Sequence, residues 1–474
     1  MKKYTPTIGL EIHAELKTET KMFCGSKNAP HETEPNTHIC PICMGHPGML
    51  PVINKQAVQH VLLVGRAVDG KLADYTEFDR KHYFYPDIPK GYQISQYAYP
   101  LVTGGTLAGV DITRIHLEED TARSLHDKAS GSLIDYNRAG VPLMELVTEP
   151  VMHDAVSAGT FARELQLLLR TLGVSDANME RGEMRVEVNI SVSATDTLGT
   201  KVEVKNINSF KSVEAAIAYE IQRQTTALEK GEALVQETRG WDEAQEITVS
   251  QRKKESSHDY RYFPDPDLPK LVISEFPDFK ISRLDEMMPE TPSNKRIKFS
   301  NLGLTSNTVE QLVANIEVGK FFEESLSILE TLREAVTDDD RIKLANYLTS
   351  DVVGYLATSP ELKIDDASPE RFVRLIVMVA DGVINSRVAK DLLPDVVFGE
   401  SDPETVVQER GLSQTGSADL VPIVEALLTE HATVVAEYRA GKESSLQYLI
   451  GQGMKATKGA ADPALLAQLI REKI

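Results

Sequence analysis

Groups able to bind metal or phosphate recur at alternate positions in four segments of this chain. Glu11, His13 and Glu15 alternate with Leu10, Ile12, Ala14 and Leu16. The segment 112–120 brings Arg114, His116, Glu118, Glu119 and Asp120. Glu187, Asn189 and Ser191 alternate with Val186, Val188, Ile190 and Val192, and Lys201, Glu203 and Lys205 with Val202 and Val204. Successive side chains of a strand point to opposite faces, so each segment offers one apolar and one functional face. The wet face of a half-buried strand explains any one of them. Four together argue for more, because like charges crowded on one sheet repel unless a cation sits among them. Carboxylates with His, Asn and Lys suit a divalent metal and a polyphosphate.

These strands need a sheet and a core behind it. Residues 1–294 read as α+β and mainly antiparallel, with helical spacing at 162–170 and 213–221. Pro289 and the stretch 290–294 mark a boundary. Residues 295–403 read as helices at 308–318, 320–335, 341–357, 369–381 and 386–393. A second punctuation at 399–403 precedes a small helical tail, 404–474. The tail reads as carrying a loop at 451–459, then Asp462-Pro463 as N-cap and first helical residue of the last helix.

The chain has 474 residues, 26% of them charged, and a net charge of −20. Non-specific nucleic-acid binding, which runs on Lys and Arg contacts to phosphate, is disfavoured for the chain as a whole. No apolar run is long enough to span a bilayer, and residues 1–7 lead into a strand without a signal-like apolar stretch, so no membrane partner and a cytoplasmic protein are expected. The three Cys, at 24, 40 and 43, argue against a disulfide framework.

Cys40-Pro41-Ile42-Cys43 with Cys24 upstream has zinc-site spacing, but structural zinc takes four ligands. His38 or His31 is the expected fourth; three thiols without metal is the alternative. The stretch 80–97 mixes Arg, Lys, His and Tyr with two Pro, which forbids a regular helix. Such residues could hold an adenine ring and phosphates, or an RNA end by stacking; composition favours a packed loop under the sheet. Arg138 sits at a turn from which a guanidinium can reach phosphate. Ser257-His258-Asp259 is no hydrolase triad, since neighbouring positions do not make one, and no Walker loop exists. ATP, if used, must lie on an open sheet face.

The strings 8–16, 83–97, 116–120, 135–150, 173–180, 201–209, 236–239 and 258–267, with the loop 455–459, together resemble the B subunits of the bacterial tRNA-dependent amidotransferases, the GatB family. The resemblance covers essentially the whole chain. It implies an antiparallel cradle similar to the catalytic fold of glutamine synthetase, followed by a helical domain and a tail that grip tRNA. It implies phosphorylation by ATP of the side-chain carboxylate of Glu on tRNA(Gln), of Asp on tRNA(Asn), or of both, and then amidation. Ammonia would come through a channel from a glutaminase (amidase) partner, the A subunit, with the small C subunit holding the pair. On this resemblance Glu11, His13, Glu118, Glu119 and Glu149 are expected around Mg²⁺, with Glu187 and Glu203 as further candidates. Glu11, His13, Glu149 and Lys205 are expected to be catalytic. Arg138, Tyr85 and Lys205 are expected to bind the nucleotide, and Lys455 and Lys458 the tRNA. The family often has Cys-x-Cys where this chain has Cys24-Gly25-Ser26, which bears on zinc and not on activity. A tRNA-binding adaptor without catalysis, and a free-standing ligase on a small substrate, are the rival readings.

Overall fold

The structure is a computed structural model. It describes residues 4–127, 131–253, 260–413, 417–457 and 459–474. The chain divides into two compact units, Met1–Thr291 and Pro292–Ile474.

The strands of the first unit run in chain order β1 (Thr5–Glu15), β2 (Lys71–Leu72), β3 (Tyr75–Thr76), β4 (Asp79–His82), β5 (Tyr92–Ser95), β6 (Val102–Thr103), β7 (Thr106–Leu107), β8 (Val110–Glu119), β9 (Arg123–Asp127), β10 (Gly131–Asp135), β11 (Pro142–Thr148), β12 (Met184–Ser193), β13 (Val202–Lys205), β14 (Glu237–Asp242), β15 (Ile247–Lys253), β16 (Phe263–Pro264) and β17 (Leu271–Val272). Ten of them form one sheet in the order β15-β14-β13-β12-β1-β11-β8-β6-β2, with β7 on β8. All its pairings are antiparallel except β13 with β14. A three-stranded sheet, β16-β4-β5, lies beside it, with Ser95 of β5 hydrogen-bonded to Glu118 of β8.

The expected faces hold. Leu10, Ile12 and Ala14 of β1 are buried with Val186, Val188 and Ile190 of β12 and Val202 and Val204 of β13. They share one core with Phe161 and Leu165 of helix α2 (Ala155–Thr171) and Val213, Ala216 and Ile217 of α3 (Phe210–Glu229). Helix α1 (Lys55–Ala67) packs into the same core through Val58, Val61 and Leu62. Asp154 and Ser209 start α2 and α3 by accepting from the backbone N–H groups of Ser157 and Ser212. Helices on the apolar face leave the other face of the sheet to the polar side chains. A short helix α4 (Ile281–Met287) follows.

The second unit is helical: α5 (Pro292–Ser300), α6 (Ser306–Ala314), α7 (Ile316–Leu332), α8 (Asp338–Asn346), α9 (Val353–Thr358), α10 (Pro369–Ala380), α11 (Ser386–Leu393), α12 (Pro403–Arg410), α13 (Ser417–Glu430), α14 (Ala432–Arg439), α15 (Ser444–Ala456) and α16 (Pro463–Lys473). Three expectations need correction. The break read at residue 319 falls at Asn315, whose side chain accepts from Val318 N–H and so starts α7. The helix read over 341–357 is interrupted by a wider π-type turn, Tyr347–Val352. Residues 451–456, read as loop, are the end of α15. A Cβ on Gly453 would lie 3.2 Å from Leu466 of α16, so this glycine serves close helix packing rather than a turn. Asp462 does cap α16, accepting from the N–H groups of Ala464 and Leu465. Asn385 caps α11 through Oδ1 and donates through Nδ2 to the carbonyls of Gly459 and Ala461.

Candidate functional site

Register brings the charged faces together. Across β1, His13 lies opposite Glu145 of β11 and Arg185 of β12, and Glu11 opposite Val147 and Glu187. Glu145 in turn lies opposite His116 of β8, and Asn189 opposite Glu203 of β13. Three groups of side chains hold their ligand atoms within 4.8 Å of one another: Glu11, His13 and Glu145; His116, Glu118 and Glu145; Glu11, Glu187 and Glu203. They share members, so the result is one continuous carboxylate–imidazole patch on the sheet.

Its electrostatics are divided. His13 Nε2 is 3.4 Å from Glu145 Oε2 and 3.6 Å from Glu118 Oε1. Burial works against the imidazolium, but Glu145, Glu118 and Glu187 outweigh it and push His13 up to about 9. Burial also opposes ionisation of Glu145, yet His116 and His13 hold it well below the usual carboxylate range. Glu118 is held low in the same way by His116 and Lys81, and it accepts from Ser95 Oγ at 3.1 Å. Glu11 goes the other way: burial, then Glu145 and Glu187, raise it. Lys205 Nζ, 2.7 Å from Glu187 Oε2, does not offset this, and Glu11 is where the patch carries excess negative charge. Asn189 Oδ1 is buried without a hydrogen-bond partner. A raised carboxyl and an orphaned acceptor on one face are what a cation-binding surface presents before the cation arrives.

Of the residues expected at the metal, Glu11, His13 and Glu118 converge, and Glu187, Glu203 and Lys205 join them. Glu149 and Glu119 do not. Glu149 follows a bulge at Val147/Thr148 and accepts from Thr113 Oγ1 at 2.7 Å. Glu119 points to the other face of β8, 2.8 Å from Lys90 Nζ, and accepts from Ile94 N–H at 3.0 Å. It lines a separate cavity of about 230 Å³ with Lys90, Arg80 and Cys43. Arg138 donates to the carbonyls of Thr121 and Ala122 at 2.9 and 3.1 Å, beside Asp120. Lys455 is exposed on α15; Lys458 lies outside the described residues, as do Ser257, His258 and Asp259.

Glu145 and Lys81 join the site without having been expected there, and His116 joins it from the strand on which its chemistry was noted. Glu145 is legible as the lone charge in the apolar run Pro142–Thr148, since a carboxylate inside such a strand needs a partner.

The segment 80–97 is not a packed loop. It supplies β4 and β5, and Phe84, Tyr85 and Tyr97 are 76%, 49% and 54% exposed. The sulfurs of Cys24, Cys40 and Cys43 do converge. The expected fourth ligands are engaged elsewhere, His31 3.0 Å from Glu183 and His38 3.6 Å from Glu32. Instead the fully buried Lys21 donates to Cys43 Sγ at 3.8 Å and to Tyr136 O at 3.1 Å. Hydrogen bonds from Cys24, the Cys40 backbone and the Lys21 charge bring Cys43 down to about 4.

No helix of the described residues is long and apolar enough to cross a membrane. Residues 6–276 match the model of the GatB/GatE catalytic domain, and residues 327–474 that of the GatB domain. The chain is 43% identical over 489 residues to the aspartyl/glutamyl-tRNA(Asn/Gln) amidotransferase B subunit of Thermomicrobium roseum, covering 100% of this chain and 99% of that one. It is 40% identical over 485 residues to the B subunit of Thermoanaerobacter sp. (strain X514), covering 100% and 99%. It is also 40% identical over 492 residues to that of Crocosphaera subtropica, covering 98% and 97%. With a charged sheet face and matches that run the length of the chain, this protein belongs to the family of aspartyl/glutamyl-tRNA(Asn/Gln) amidotransferase B subunits.

Proposed function

We propose that the chain, within a larger complex, converts Glu on tRNA(Gln), Asp on tRNA(Asn), or both, to the amide. The carboxylate is a poor acyl donor because its leaving group would be oxide. ATP phosphorylates it, and ammonia made by the glutaminase partner, the A subunit, displaces the phosphate; the small C subunit holds the assembly together. The observation that carries this reading is the convergence of Glu11, His13, Glu118 and Glu145 from three strands, with Lys205 alongside.

Glu11, His13, Glu118 and Glu145 would hold Mg²⁺, which neutralises polyphosphate charge and aligns donor with acceptor. Lys205, held protonated by Glu187 and Glu203 against the cost of burial, is suited to meet the transferring phosphoryl group. Arg138 fits as a brace for the 120–122 turn, through its bonds to Thr121 and Ala122. Cys24, Cys40 and Cys43 would offer three thiols to a structural zinc, but with His31 and His38 paired elsewhere and Lys21 already on Cys43 the set fits a complete four-ligand site poorly. The cradle's likeness to glutamine synthetase, the division of the helical unit near residue 403, and a tRNA grip through Lys455 belong to the same proposal.

The test is amide formation by the reconstituted complex from misacylated tRNA, ATP and ammonium, which bypasses the glutaminase. Glu11→Ala and Glu145→Gln should each lower product formation by at least about 10- to 100-fold while tRNA binding persists. Product formed as fast as wild type by both would leave the chain as an adaptor.

A further inference from the structure

Beside the carboxylate patch runs a chain of aromatic rings that the proposed phosphoryl transfer does not use. Tyr97 stacks on Tyr262 with centroids 4.4 Å apart and planes 14° from parallel. The rest of the chain is edge-on: Tyr262 meets Tyr260 at 6.1 Å and 70°, Tyr260 meets Tyr83 at 6.1 Å and 70°, and Tyr83 meets Tyr85 at 5.9 Å and 62°. The two ends, Tyr97 and Tyr85, are about half exposed. Between this ladder and the patch stands Lys81. Its ammonium lies 5.1 Å from the Tyr260 ring centroid and 5.9 Å from that of Tyr83. Burial opposes its charge, and Glu118 and Tyr262 are the leading groups that keep it protonated.

We propose that this tyrosine ladder is a stacking platform for the unpaired nucleotides at the acylated end of the RNA substrate, leading its aminoacyl group past Lys81 to the carboxylate patch. The proposal rests on the tRNA-dependent reading above. Charge favours it. At a net charge of −20 the chain repels polyphosphate at long range, so an RNA end is better held by a contact that needs no net charge. Base–aromatic stacking is such a contact, and it tolerates any base. Exposed rings braced by rings already in place, Tyr97 face to face by Tyr262 and Tyr85 edge-on by Tyr83, cost little ordering on binding, and Lys81 adds one local cation where the acyl carboxylate must arrive.

The test uses the complete complex with ammonium as nitrogen donor, reading KM separately for misacylated tRNA and for ATP. Tyr97→Ala and Tyr85→Ala change exposed side chains and spare the core. Each should raise KM for the tRNA by roughly 5- to 150-fold, the equivalent of one lost stack, and leave KM for ATP unchanged. Tyr97→Phe, which keeps the ring, should stay near wild type, and the increase should persist at raised salt. A rise in KM for ATP instead would assign the ladder to the nucleotide's adenine and overturn the proposal. So would loss of a partner protein on purification, or an unchanged KM for tRNA in both Ala variants. A wild-type complex unable to form amide would sink the tRNA-dependent reading itself, a result distinct from normal kinetics in the tyrosine variants.

Discussion

His13 and Glu145 face each other across neighbouring antiparallel strands, with Nε2 3.4 Å from Oε2. Each supports the charge of the other: the imidazole rises to about 9 and the carboxyl falls. Glu145→Gln should therefore do two things. It should bring the His13 titration back toward the ordinary imidazole value of 6.5, visible by NMR in the metal-free protein. It should also weaken turnover by at least about 10- to 100-fold, the scale seen when even outer-shell supports of a metal site are lost.

Glu149→Gln should behave differently. Its carboxylate is satisfied by Thr113 and stands outside the convergent groups, so turnover should stay within a few-fold of wild type. A loss as deep as that of Glu145→Gln would place Glu149 on the substrate's path after all.

Glu15 supplies a pH dependence. Burial, then the neighbouring Asp120, push it up from 4.5 to about 8, while Arg185 and Arg138 hold Asp120 down to about 2. A folded-state pKa above the unfolded one means that the native chain keeps a proton the unfolded chain has released. Stability attributable to Glu15 is thus intact below about pH 4.5 and is lost as pH rises to about 8. Glu15→Gln keeps a donor for Asp120 and cannot ionise. Relative to wild type, the variant should gain stability steadily across that window, by up to about 4–5 kcal/mol at its upper end; a variant no more stable at pH 8 than at pH 5, relative to wild type, would refute the shared proton.

Lys21 is the cation inside the cysteine cluster. Lys21→Met leaves the Cys43 thiolate without it and should cost about 3–5 kcal/mol in chemical denaturation. Adding Cys43→Ser should return much of that loss, since the two changes share one interaction.

In the tail, Gly453→Val should destabilise by about 1–3 kcal/mol, because Leu466 occupies the space a side chain needs. Gly451→Ala, with nothing within 4 Å, should stabilise α15 by about 0.5–1 kcal/mol. Opposite signs at two glycines two residues apart are the signature of packing rather than of a turn.

These cases show what a sequence exposes. The faces of β1, β8, β12 and β13 are legible because alternation is a local, period-two property. The neighbours are not: nothing local says that β1 sits between β11 and β12, and that order makes Glu145 the partner of His13. The bulge at Val147/Thr148 carries no periodic signal, so Glu149 reads as a continuation of the face it leaves. His31 and His38 look available to the cysteines because Glu183 is distant in sequence and Glu32 unremarkable beside them. The helix through Gly451 and Gly453 hides because its reason, Leu466, lies on the next element. Asn315 as a helix start is readable from its residue type alone, although helical spacing on both sides of it draws the eye to Gly319.

Asn385 has the last consequence. One amide both begins α11 and holds the carbonyls of Gly459 and Ala461 just ahead of α16. A pull on the C-terminal helix is therefore transmitted to α11 through this side chain, so the two should exchange their amide hydrogens as one cooperative block. The end of the chain is then riveted to its own unit rather than trailing from it, and strain felt at one end of that rivet must be felt at the other.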